Sequence, residues 1–224
     1  ARHEGQAAAE GEGLYWKYES ALKRLDGEFY SAMGAPGELC AIRRALYEPM
    51  PENALLDDFV MSLRMVDNHL SISYTSDAYA MEYGSANMEE ESKRKRRIAA
   101  GGLQSIWWLR SLMNPIVYPK VAFQFVSHRV LRWSITPLAL IALVPLNILL
   151  IIFCEHWGYT LAGILQLLFY GAAITGYLLE RTGHRRIILY VPYYFLFMNL
   201  NVFIGIHYLM THHSSGTWEK VQRG

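Results

Sequence analysis

Three long runs without Asp, Glu, Lys or Arg restrict this chain more than any other feature: Ser134–Cys154, Tyr159–Leu179 and Ile187–Thr211. Each is long enough to cross a hydrocarbon core of roughly 30 Å at about 1.5 Å per residue. The sequence therefore predicts three transmembrane helices, at about 134–154, 159–179 and 187–211. Pro137, Pro145 and Pro192 would weaken helix interiors in water, but neighbouring helices in a membrane satisfy the freed carbonyls. Sixteen of the 21 Lys and Arg and seventeen of the 20 Asp and Glu precede residue 134, so that part faces water. The overall composition, 52% hydrophobic with a net charge of +1, resembles that of a soluble protein only because it averages two unlike halves.

Orientation follows from the basic residues. Arg129 and Arg132 precede the first run and "ERTGHRR" (Glu180 to Arg186) follows the second, whereas the loop "EHWG" has no Lys or Arg. By the positive-inside rule the water-facing part is cytoplasmic. A third crossing would leave Lys220 and Arg223 on the far side, so either the tail is translocated or one run is not a simple crossing. The chain begins "ARHEGQ", without Met or a basic-plus-apolar leader, and is expected to be the later part of a longer protein. Cys40 and Cys154 form neither a disulfide framework nor a metal-binding spacing and are expected as free thiols.

In the soluble part, Leu14, Tyr18, Leu22 and Leu25 recur at helical spacing and predict a helix over Leu14–Leu25. Gly34, Pro36 and Gly37, then Pro49 and Pro51, mark loops. Phe59, Leu63, Val66 and Leu70 form a second helical stripe, with Asp57 or Asp58 where an N-cap belongs. "SISYTSDAYAMEY" (Ser71 to Tyr83) alternates apolar and polar residues as an edge strand does.

The Asp57-Asp58 pair admits two readings at this level. An acid at a helix start caps free N–H groups and suits the positive end of the dipole. A carboxylate fixed there is also kept ionised and aimed, as a general base requires. The five basic residues Lys93–Arg97 admit three. They can attract anionic head groups, bind nucleic acid, which membrane anchoring and near-zero net charge disfavour, or offer a guanidinium fork to a diphosphate. "SHRVLRWS" with Trp107, Trp108 and Trp133 reads as interfacial helix, His128 being part of that surface. His207, His212 and His213 have no nearby carboxylate in the sequence and do not read as a metal site. In the third run Tyr193, Tyr194, Asn199, Asn201 and His207 suit either a path for sugar or lipid or bonding between helices.

The order "GELCAIRR", "LLDDF", "EEESKRKRRIAAGGLQ", "FQFVSHRVLRW" and then apolar helices resembles the C-terminal half of membrane-bound family 2 glycosyltransferases. That group includes cellulose, chitin and hyaluronan synthases and many bacterial capsule and exopolysaccharide enzymes. The resemblance runs from about residue 5 to the end. It implies an α/β fold: the C-terminal portion of a GT-A-like domain over 1–100, amphipathic interfacial helices over 101–133, transmembrane helices over 134–211 and a polar tail over 212–224.

The resemblance also implies roles. Asp58, beside Asp57, corresponds to the catalytic base; Arg97, with Arg94, faces the donor diphosphate; Gly37 and Ile98 lie on the acceptor side. Arg94 stands where the family has Gln and Ile98 where it has Trp, which favours adding one or a few sugars over processive synthesis. The implied reaction is direct inverting transfer from a nucleotide-sugar donor to a polysaccharide or lipid-linked acceptor, at the cytoplasmic face of a bacterial inner membrane, with membrane lipid and no nucleic acid as a partner. The implied cofactor is a divalent metal, Mg or Mn, held by an Asp-x-Asp motif that does not occur in these 224 residues. These residues alone are therefore expected to be inactive. A different class stays open: a non-catalytic membrane subunit of a transport or export complex, its intramembrane polar residues forming the path.

Overall fold

A computed structural model of the protein describes residues 2–37, 39–78, 80, 88–182 and 186–211. Eight α-helices are described: α1 Arg2–Phe29, α2 Asp57–Asp67, α3 Met88–Trp108, α4 Pro119–Phe125, α5 Leu131–Trp133, α6 Ile135–Phe153, α7 Trp157–Arg181 and α8 Ile187–Thr211. A π-helical turn, Val126–Val130, joins α4 to α5.

The α/β, GT-A-like expectation is overturned. The structure is 75% helical, and no strand or sheet occurs among the described residues. The edge strand expected from "SISYTSDAYAMEY" is irregular over 71–75, while Tyr79 and 81–87 lie outside the described residues. An alternating segment needs a neighbouring strand for its backbone groups, and the described chain supplies none. Ile72 is tied instead to the chain just after α1. Its carbonyl accepts from Ala32 N–H at 3.0 Å, and its N–H donates to Ser31 Oγ at 3.0 Å.

Helix α1 forms, but with the face about 100° round from its apolar stripe turned inward. Tyr18 and Leu25, two of its apolar stripe, are 60% and 54% exposed, whereas Glu19, Lys23 and Asp26 are 3%, 8% and 2% exposed. Those three recur at i, i+4 and i+7, so a helical stripe is indeed buried, and it is the polar one. Buried charge is tolerated only with partners. Glu19 meets Arg129 Nη1 at 2.7 Å and Arg132 Nη1 at 3.0 Å. Asp26 accepts from Gln124 Nε2 at 2.9 Å and lies 2.8 Å from His128 Nδ1. Lys23 sits over the Trp16 ring.

The core joins α2, α3, the α4–α5 segment and α8 through Met33, Phe59, Leu63, Leu112, Phe125, Trp133 and Val202 among others. Phe59, Leu63 and Val66 face it as their spacing predicts, whereas Leu70, the fourth of that stripe, lies past the end of α2 and is exposed. Trp133, expected at head-group level, is buried edge-on against Phe59, while Trp107 is exposed.

Helices α6, α7 and α8 are each long and apolar enough to cross a membrane and match the three predicted spans closely. Helix α8 is also bound along one face to α3. Tyr194 Oη donates to Glu91 Oε1 at 2.7 Å, and Ser92 Oγ donates to Asn201 Oδ1 at 2.7 Å. Lys95 Nζ lies 3.3 Å from the same Glu91 oxygen. Burial pushes the Lys95 ammonium down to about 8, and Glu91 only partly offsets that. These bonds are of the helix-to-helix kind that the sequence offered for Tyr194 and Asn201. Gly205 permits the approach: a Cβ there would lie 2.8 Å from Ala99 Cβ and 2.9 Å from the Arg96 carbonyl. A Gly205→Val substitution is expected to cost about 1–3 kcal/mol by overpacking this backbone contact. Gly13→Ala, whose Cβ meets nothing within 4 Å, should instead stabilise α1 by about 0.5–1 kcal/mol. Thermal melting in detergent measures both.

Candidate functional site

Asp57 and Asp58 occupy the first turn of α2, and neither is its N-cap. Leu56 holds that position, without a side-chain cap bond. Both carboxylates nevertheless lie beside the free N–H groups of the first turn, and the Phe59 amide bonds Asp58. Asp57 is exposed and Asp58 is half-buried.

Three elements converge on Asp58. The first is the turn after α1. A Cβ at Gly37 would lie 2.9 Å from Asp58 Oδ2, so the lack of a side chain there lets backbone approach the carboxylate. The turn needs a second glycine, Gly34, whose φ of 98° is the left-handed region and whose missing Cβ leaves room for the Phe59 ring.

The second element is α3. Arg97, Gly101 and Gln104 recur at i, i+4 and i+7 and share one face. Gln104 Oε1 accepts from Leu55 N–H at 3.0 Å, and its Nε2 donates to the Asn53 carbonyl at 2.9 Å. A Cβ on Gly101 would come within 2.5 Å of Leu56 Cγ. Gln104 and Gly101 thus dock this face of α3 onto the chain entering α2, and Arg97 lies one turn back on the same face. The Arg97 side chain is exposed and its charge acts on the Asp58 carboxyl. The third element is α1, whose Lys23 acts on the same carboxyl.

Burial is the largest influence on Asp58 and pushes its carboxyl above the ordinary 3.8. Asp57 adds to the rise, while the Phe59 backbone amide, Arg97 and Lys23 oppose it without cancelling it. The ionised carboxylate is thus held at some cost in stability, as acid–base groups in functional sites often are.

The other residues singled out by sequence go elsewhere. Arg94 is partly buried, 3.9 Å from Glu91. Ile98 packs against the hydrophobic core. Cys40 is exposed, and both it and Cys154 are free thiols. The described residues contain no group of three or more His, Cys, Asp or Glu able to hold a metal ion.

Sequence reasoning missed Glu19, Lys23, Arg129 and Phe59 as neighbours of the site. The polar period Glu19, Lys23, Asp26 was a visible signal, since charges repeating at helical spacing mark a face as surely as apolar residues do. Glu19 shows what that face does. Burial raises its carboxyl, but Arg129 and Arg132 outweigh burial and hold it down at about 2. No family model, curated protein or solved structure matches the chain.

Two opposite stability effects follow. The ionised Glu19 stabilises the fold fully above its ordinary 4.5, and this stabilisation is lost as pH falls toward about 2. Glu19→Gln should therefore lower the melting temperature at pH 7, with the difference from wild type shrinking over that acid range. Asp58→Asn removes a carboxylate whose ionisation is disfavoured in the fold. It should melt at or above the wild-type temperature at pH 7, with the gain fading as pH falls from the raised value toward the ordinary 3.8 and gone below it.

Proposed function

We propose that this chain is the membrane-anchored, acceptor-activating part of an inverting glycosyltransferase, which moves a sugar from a nucleotide-sugar donor to a polysaccharide or lipid-linked acceptor at the cytoplasmic face of a bacterial membrane. One observation carries the reading: a half-buried carboxylate with a raised proton affinity, backbone glycine against it, and an exposed guanidinium acting on it from a helix 39 positions on in the chain. A base whose affinity lies closer to neutral takes a hydroxyl proton more readily than an ordinary carboxylate. Asp58 takes the proton of the acceptor hydroxyl, whose oxygen attacks the anomeric carbon from the face opposite the nucleotide. Arg97 meets the negative charge that gathers on the departing diphosphate. Gly37, with no side chain, keeps the turn after α1 close against Asp58.

The described residues offer no ligand set for the divalent cation that the sequence resemblance implies, and no step here runs through one. The transport-subunit alternative receives no support from Tyr194 and Asn201 of α8, which bond to α3.

Membranes carrying the full-length protein, incubated with labelled nucleotide sugars, test this. Asp58→Asn is expected to lower transfer by about 10²–10⁴-fold while insertion and melting are retained. Arg97→Gln should lower it by roughly 10²-fold through the leaving group. The acid limb of the wild-type pH profile should lie above the ordinary carboxylate value. Retained turnover in Asp58→Asn removes the base and the reaction with it.

A further inference from the structure

Arg129 lies in the π-helical turn that leads through α5 to the first apolar helix. Such single wide turns insert a residue into a helix and re-aim its side chains, often at functional sites. Here the result is a guanidinium 5% exposed with its polar groups engaged. Its Nε and Nη2 donate to the Met33 carbonyl at 3.0 and 2.7 Å, and its Nη1 pairs with Glu19 at 2.7 Å. Its flat face lies 5.4 Å from the Phe59 ring centroid and 5.9 Å from that of Trp133.

Both chain segments held this way belong to the site. Met33 precedes Gly34, the left-handed residue that opens the turn, and Gly37 three positions later meets Asp58. Phe59 directly follows Asp58, and Ser62 one turn on accepts from Ala35 N–H at 2.9 Å.

We infer that Arg129 is a positioning residue: it clamps the glycine turn and the N-terminal turn of α2 together, so that the distance between Gly37 backbone and the Asp58 carboxylate is set by a side chain anchored beside the membrane helices. The consequence for turnover rests on the proposed transfer reaction, whereas the clamp itself rests on geometry alone. Lysine cannot replace it, because one ammonium lacks the planar fork that grips a carbonyl and a carboxylate while stacking on a ring.

Arg129→Lys and Arg132→Gln in the full-length protein separate this from a plain ion-pair role. Arg132 shares Glu19 but touches neither Met33 nor Phe59 in any bond described. Amide hydrogen exchange over 33–37 and 57–60 is the first readout. Arg129→Lys should speed exchange in both segments by about tenfold, and Arg132→Gln should leave them unchanged while melting earlier. The second readout is turnover: Arg129→Lys should lower kcat with donor KM held and displace the acid limb of the pH profile, since the surroundings of Asp58 move. Unchanged exchange in Arg129→Lys, or equal loosening in Arg132→Gln, overturns the clamp. If Arg129→Lys fails to accumulate, Phe59→Leu removes the stacking partner instead; faster exchange over 57–60 is expected, and wild-type exchange there is equally fatal. Retained transfer in Asp58→Asn would remove the reaction and leave the exchange result to decide the clamp by itself.

Discussion

Glu19 lies almost wholly out of water between Arg129 and Arg132, and the soluble part of the chain is arranged around that placement. A carboxylate in an apolar interior must be neutralised by charge and saturated with donors, or it destabilises what surrounds it. Here the second requirement brings the segment before the first membrane helix against α1. The same Arg129 reaches the turn after α1 and the first turn of α2, so elements scattered over more than a hundred residues share one anchor.

Close backbone approach is the complementary device. Gly101 admits Leu56, Gly102 admits the Trp133 ring, and Gly205 admits α3 to the surface of α8. A side chain at any of these would push apart helices that polar bonds pull together. Gln104 shows the two effects acting jointly, binding both a carbonyl and an N–H of the loop that Gly101 contacts. Interiors packed this way transmit displacement rather than absorb it, which is why the placement of α3 depends on glycines along it and along α8.

The proposed chemistry needs a carboxylate of raised proton affinity and a cation near it but not bonded to it. Burial of Asp58 supplies the first, and the charge of Arg97 on α3, which acts on that carboxyl, supplies the second. Had Arg97 formed a tight ion pair, the carboxyl would have been driven down, as Glu19 is by its two guanidiniums. The two acids thus differ in proton affinity because two guanidiniums in contact outweigh burial at Glu19, whereas at Asp58 burial outweighs the Phe59 amide, Arg97 and Lys23.

Much was legible without coordinates. The three uncharged runs determined the membrane helices, since the length of an apolar segment and the cost of burying charge in lipid are local properties. The period of Phe59, Leu63 and Val66 likewise specified which face of α2 is buried. The family resemblance singled out Asp58, Gly37 and Arg97, and of these the structure shows Gly37 backbone against the Asp58 carboxylate. Tertiary structure alone decided that α1 buries its charges, because an apolar stripe predicts burial only when nothing offers the polar stripe better partners. It also decided that no sheet forms among the described residues, since an alternating segment becomes a strand only beside another strand. Finally, it assigned Arg129 and Trp133 to the interior: basic and aromatic residues next to a membrane span look the same in sequence whether they meet head groups or a carboxylate and a carbonyl of their own chain, and only the folded neighbours distinguish the two.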